Sequence, residues 1–164
     1  MTKVQAGNAA PAFTLPGTNG KAYSLAETLK KGPVVAAFFK ISCPVCQFTL
    51  PFLERLYETY GDSNVTFWGI SQDEAADTKE FCAEYGVKFP VLIDGDGYPA
   101  SNQYSLTNVP TIFLIGADGK VSVSSVGFSK ADLEKIAVEV ARASGKPVQP
   151  LFRPGEAVPD YKPG

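Results

Sequence analysis

The chain has 164 residues, 45% of them hydrophobic, and a formal net charge of −2. That length suits one domain with its own core, and so small a charge leaves no electrostatic footprint for nucleic acid. No apolar run reaches membrane-span length and residues 1–10 hold no signal-peptide core, so the sequence reads as cytoplasmic, or as extracytoplasmic if a leader was removed.

Residues 13–15 and 21–25 flank Pro16-Gly17-Thr18-Asn19-Gly20, and the Asn-Gly pair predicts a short hairpin. Residues 34–39 are apolar throughout, which suits a strand covered on both faces. A helix is expected to follow, with Thr49, Phe52, Leu53, Leu56, Tyr57 and Tyr60 as its core stripe. Pro51 removes the bond to the Gln47 carbonyl and should kink that helix; Gly61 can close it. Residues 65–70 read as a second buried strand and 73–85 as a second helix, with Thr78, Phe81, Cys82 and Tyr85 on the buried face and Gly86 at the end. A third short strand spans 91–94. Asp94-Gly95-Asp96-Gly97 reads as a turn rather than a calcium loop, because Tyr98 stands where the next ligand would be.

Residues 111–115 and 120–126 are strands joined by Gly116-Ala117-Asp118-Gly119. Ser129 then caps a helix with Leu133, Ile136, Ala137 and Val140 on its apolar face. The order implies a mixed sheet with helices on both faces. Residues 1–145 form this α/β domain. Residues 146–164 carry five prolines and are expected to be extended, a tail lying on the domain or loose, with Leu151 and Phe152 able to dock.

The chemistry lies at Lys40-Ile41-Ser42-Cys43-Pro44-Val45-Cys46, between the first buried strand and its helix. Cys43 falls at the helix N-cap and Pro44 at the first helical position. Cys46, three residues on, shares the face of Cys43. A helix N-terminus carries partial positive charge and unpaired N–H groups, which favour a thiolate, and Lys40 would add to that. Cys43 therefore reads as a nucleophile and Cys46 as its partner. A zinc site would need two more ligands, and the chain has no histidine and only Cys82 besides, so no metal is expected. Two inert core cysteines would not need a helix N-terminus. Cys82 itself reads as a small core hydrophobe.

With these elements in place the chain resembles the thioredoxin superfamily, and within it the TlpA/ResA-like and AhpC/TSA-like redoxins. The resemblance covers residues 10–142. Its carriers are Ala10-Pro11-Ala12-Phe13-Thr14-Leu15, Asn19-Gly20-Lys21, the Cys-x-x-Cys, Pro51, Phe89-Pro90-Val91-Leu92-Ile93-Asp94, Val109-Pro110-Thr111 and Ala117-Asp118-Gly119-Lys120. It implies a thioredoxin-like mixed sheet with an N-terminal hairpin extension. It also implies that Pro110 follows a cis bond and faces the cysteines, with Val109 offering backbone to a substrate. The chain departs from the family at Ala37, where thioredoxins keep a buried aspartate, and at Thr49, where the ResA-like branch keeps a glutamate. Phe39 and Ser42 stand where tryptophans are usual. The proton from Cys46 would then pass to Asp73, Glu54, Lys40 or water.

The expected activity is thiol–disulfide exchange. Cys43 and Cys46 are catalytic, Pro110, Val109 and Pro44 bind substrate, and Lys40 and Thr49 modulate. No cofactor is implied. Partners are protein or small-molecule disulfides and thiols and an electron donor such as a thioredoxin system, with neither nucleic acid nor membrane. The alternative is an AhpC/TSA-type peroxidase with Cys43 as peroxidatic cysteine. Its Pro-x-x-x-Thr/Ser-x-x-Cys pattern meets Ala36 and Lys40 here.

Overall fold

A computed structural model describes residues 4–164. Strands β1 (Thr14–Pro16) and β2 (Ala22–Ser24) form the hairpin, followed by a short helix α1 (Leu25–Leu29) capped by the Ser24 hydroxyl. Next come β3 (Val34–Phe39), α2 (Pro44–Tyr60), β4 (Thr66–Ser71), α3 (Ala75–Tyr85) and β5 (Val91–Ile93). The rest is α4 (Pro99–Gln103), β6 (Thr111–Ile115), β7 (Val121–Val126), β8 (Phe128–Ser129), α5 (Lys130–Ser144) and β9 (Tyr161–Lys162).

The central sheet has the order β5-β4-β3-β6-β7, with β4 parallel to β3 and β5, and β6 antiparallel to β3 and β7. Successive side chains of a strand point to opposite faces. Val35, Ala37 and Phe39 therefore enter one core with α2, α3 and α5, while Val34, Ala36 and Phe38 enter a second with Phe13, Leu25, Trp68, Ala100 and Tyr104. This double burial explains the uninterrupted apolar run of β3, each large side chain contributing about 1.5–3 kcal/mol. It also fixes the C-terminal end of β3, and hence the turn into α2, at the middle of the sheet.

Several local expectations are corrected. Helix α2 runs unbroken through Pro51 rather than being interrupted there. Gly61 ends it with right-handed angles, φ −71°; a Cβ there would lie 2.5 Å from the Tyr57 ring, so the glycine supplies room rather than a left-handed turn. Helix α3 starts at Ala75 rather than 73, and Cys82 is half-buried rather than buried. The helices α1 and α4 were not foreseen. Helix α4 is held by Asp94, whose buried carboxylate accepts from the N–H groups of Ala100 and Ser101 and from the Ser101 hydroxyl at 2.6–2.9 Å. Asp94 is thus a capping residue, and a carboxylate suits a helix N-terminus.

Residues 147–156 lie along α2. The Tyr60 hydroxyl donates to the Pro147 carbonyl and accepts from Gln149 N–H. Leu151 is buried, Phe152 packs 5.1 Å from the Phe52 ring, and Arg55 makes paired bonds to Glu156 at 2.8 and 2.7 Å. Strand β9 then pairs antiparallel with β8.

Candidate active site

Cys43 is the N-cap of α2, with extended backbone angles, and its Sγ accepts from the Cys46 N–H at 3.3 Å. Pro44 is exposed at the first helical position, where a missing N–H leaves no bond unmade. Cys43 is half-buried; Cys46, one turn further, has no exposed surface. Both are free thiols. Burial holds the Cys46 thiol far above its ordinary pKa, and the bond to Cys43 adds to that; the Lys40 backbone opposes it, and the charges of Cys43 and Asp73 reinforce it. One sulfur is therefore presented to solvent at a helix N-terminus, and the second is stored beneath it in protonated form.

The approach loop is held from both sides. Asp73 Oδ2 accepts from Ile41 N–H at 2.8 Å, and Gln47 Nε2 donates to the Ile41 carbonyl at 2.9 Å. Sequence reasoning named Asp73 only as a proton acceptor and missed Gln47. A polar residue in the first turn of a helix, facing the chain that enters it, is the signal that pointed there.

Across the site, the Cys43 thiol donates to the Val109 carbonyl at 3.6 Å. The Val109-Pro110 peptide bond is cis, as the resemblance implied. Pro110 is buried and its carbonyl accepts from Gly127 N–H at 2.8 Å. Cys43, Cys46, Pro44, Val109 and Pro110 thus come together.

The other named residues stand differently. Lys40 is exposed, and it is its backbone that bears on Cys46. Thr49 is fully buried, and its hydroxyl donates to the Val45 carbonyl at 2.6 Å. Glu54 lies eight residues beyond Cys46 on α2, roughly 12 Å along the axis. Its Oε1 accepts from Lys88 and Phe89 N–H, and burial raises its pKa, so it braces the loop before β5. Ala37 is buried between Gly69 and Ile112 of the flanking strands, so no carboxylate enters the core there.

A mixed sheet with helices on both faces, a Cys-x-x-Cys capping a helix and a cis-proline loop against the outer sulfur define a thioredoxin-fold protein. The sequence model of the Redoxin family matches residues 5–141, and the chain belongs to that family. It is similar to the thiol-disulfide oxidoreductase ResA of Bacillus thuringiensis (strain Al Hakam), 35% identical over 126 residues that span 76% of this chain and 72% of that protein. ResA of Geobacillus thermodenitrificans (strain NG80-2) is 29% identical over 136 residues, 82% of this chain and 77% of its own. The fold superposes on a candidate thiol:disulfide interchange protein, DsbE, of Chlorobium tepidum with a TM-score of 0.76 and 28% identity, covering 87% of this chain and all of that one. The chain is a TlpA/ResA-like thiol–disulfide oxidoreductase. Among the described residues no helix is long and apolar enough to cross a membrane.

Proposed function

We propose that Cys43 is the attacking sulfur and Cys46 the resolving one, with Val109, Pro110 and Pro44 as the surface against which a partner's disulfide is laid. The observation that carries this is the pairing of a half-exposed Sγ at the N-cap, 3.3 Å from the Cys46 N–H, with a fully buried sulfur one turn below. The Cys43 thiolate attacks one sulfur of the partner's disulfide; a mixed disulfide forms and the other sulfur leaves as thiolate. Cys46 loses its proton and attacks Cys43, the partner's second sulfur departs, and the Cys43–Cys46 disulfide forms. Two electrons have then passed to the partner. The same steps in reverse oxidise a partner dithiol.

Thiols carry the electrons throughout, so the exchange requires no cofactor. Thr49 modulates through packing beside the motif, and Lys40 through its backbone. Residues 1–145 form the unit that carries the chemistry, and 146–164 dress it. A thioredoxin-type electron donor regenerating the dithiol, in a reducing cytoplasmic setting, completes the reading; cell fractionation tests the setting. The chemistry is tested by trapping. Cys46→Ser should accumulate a mixed disulfide through Cys43 with a model protein disulfide, and Cys43→Ser should exchange nothing. Turnover retained in Cys43→Ser overturns the assignment.

A further inference from the structure

The segment 160–164 crosses the molecule beside the reactive sulfur, beyond the reach of the family match, which stops at residue 141. Three sets of contacts place it. The Asp160 carbonyl accepts from the Lys130 N–H at 2.9 Å, at the start of α5. Strand β9 pairs with β8 in the register Phe128 to Lys162 and Ser129 to Tyr161, while the Lys162 ammonium stands 5.1 Å from the Phe48 ring centre. Beyond it, the Gly164 carbonyl accepts from Asn108 Nδ2 at 3.2 Å.

The fit at both glycines is close. A Cβ on Gly127 would overlap the Lys162 carbonyl oxygen, and one on Gly164 would come within 2.6 Å of the Val109 carbonyl oxygen. That carbonyl is the one the Cys43 thiol meets at 3.6 Å. Gly164 therefore packs against the same Val109 carbonyl that Cys43 meets, and the strap occupies that part of the backbone edge of the Val109-Pro110 loop. Pro163 has no N–H, so at this position the strap offers a newcomer no donor with which to extend the pairing.

A disulfide inside a polypeptide brings two flanking chains with it, and an extended one gains affinity by pairing with an exposed backbone edge. A small disulfide needs only a line of approach to Sγ. We infer that residues 160–164 are a specificity-determining strap that competes with polypeptide disulfides for the Val109 edge and leaves small-molecule disulfides unhindered. This rests on Cys43 as the attacking sulfur and Val109 as the edge. The strap's contacts are few and its residues mostly exposed, so it can be displaced at moderate cost.

Two variants test this. One ends the chain at Asp160, keeping the bond to Lys130. The other is full-length Lys162→Pro, which removes the one β9 N–H that faces β8, at the Phe128–Lys162 pair, and the cation over Phe48. For each, kcat/KM is measured with a disulfide-bonded peptide and with a small symmetric disulfide, beside the melting curve. Both variants should raise the peptide value about fivefold, the factor one or two weak hydrogen bonds carry, and leave the small-disulfide value unchanged. A peptide value that is unchanged or lower in the variants overturns the strap, as does a loss of small-disulfide exchange at an intact melting transition. If the unaltered protein exchanges with neither substrate, the exchange assignment fails instead.

Discussion

Asp73, at the head of α3, holds the N–H of Ile41, thirty-two residues earlier in the chain, at 2.8 Å. That bond ties the turn bearing Cys43 to the helix on the neighbouring strand. The same carboxylate is one of the charges that push up the pKa of Cys46. The two roles separate by substitution. Asp73→Asn keeps an acceptor and should melt near the original temperature. Asp73→Ala leaves a partly buried N–H unpaired and should cost roughly 1–3 kcal/mol. Both remove the charge, so both should lower the pH at which Cys46 becomes alkylatable in a Cys43→Ser background. An unmoved profile in both would show that Asp73 acts through structure alone.

Reactivity should divide the three cysteines. Burial suppresses the Cys46 thiolate, and burial aided by the Glu54 charge pushes Cys82 up to about 11. At neutral pH, iodoacetamide should label Cys43 first, and mass mapping checks it. Cys82 should gain reactivity only as the pH approaches its shifted value. Labelling of Cys46 ahead of Cys43 would reverse their roles.

Cys82 should be dispensable for exchange. It is half-buried on α3 and packs at the rim of the core that holds Phe81. Cys82→Ala should keep exchange rates near those of the unaltered protein and cost about 0.5–1.5 kcal/mol by loss of packed volume. A large loss of turnover without loss of fold would make Cys82 part of the redox cycle.

The legible parts were those written in local pattern. β3 could be placed from six consecutive apolar residues, and the cysteine pair from a strand run that meets a helix stripe at a Cys-Pro step. What escaped depends on contacts distant in sequence. Helix α4 has only five residues and exists because Asp94 caps it from the preceding strand end. Ile41 is fixed by Asp73 and Gln47, and neither partnership leaves a periodic trace. The course of the proline-rich tail was open for the same reason. Prolines forbid helix, but only Phe152 finding Phe52 and Phe128, and Glu156 finding Arg55, decide where an extended segment lies.

That last pairing predicts how the tail comes loose. Arg55 stands on α2 and grips both carboxylate oxygens of Glu156, while its guanidinium also lies 4.7 Å from the Phe52 ring centre. The two bonds from Arg55, helped by the Arg153 N–H, hold Glu156 down to about 2, against an ordinary value of 4.5. A carboxylate whose folded pKa is depressed stabilises the fold above its unfolded pKa and ceases to do so as pH falls through the folded one. The clamp should therefore act fully above about pH 4.5 and weaken progressively towards pH 2. An acid-active protease should cut within residues 146–160 increasingly fast across that window. Glu156→Gln should cut severalfold faster than the unaltered protein at pH 5 and lose most of the pH dependence. If the variant and the unaltered protein are cut alike at pH 5, the ion pair does not hold the tail, and Leu151 and Phe152 anchor it alone.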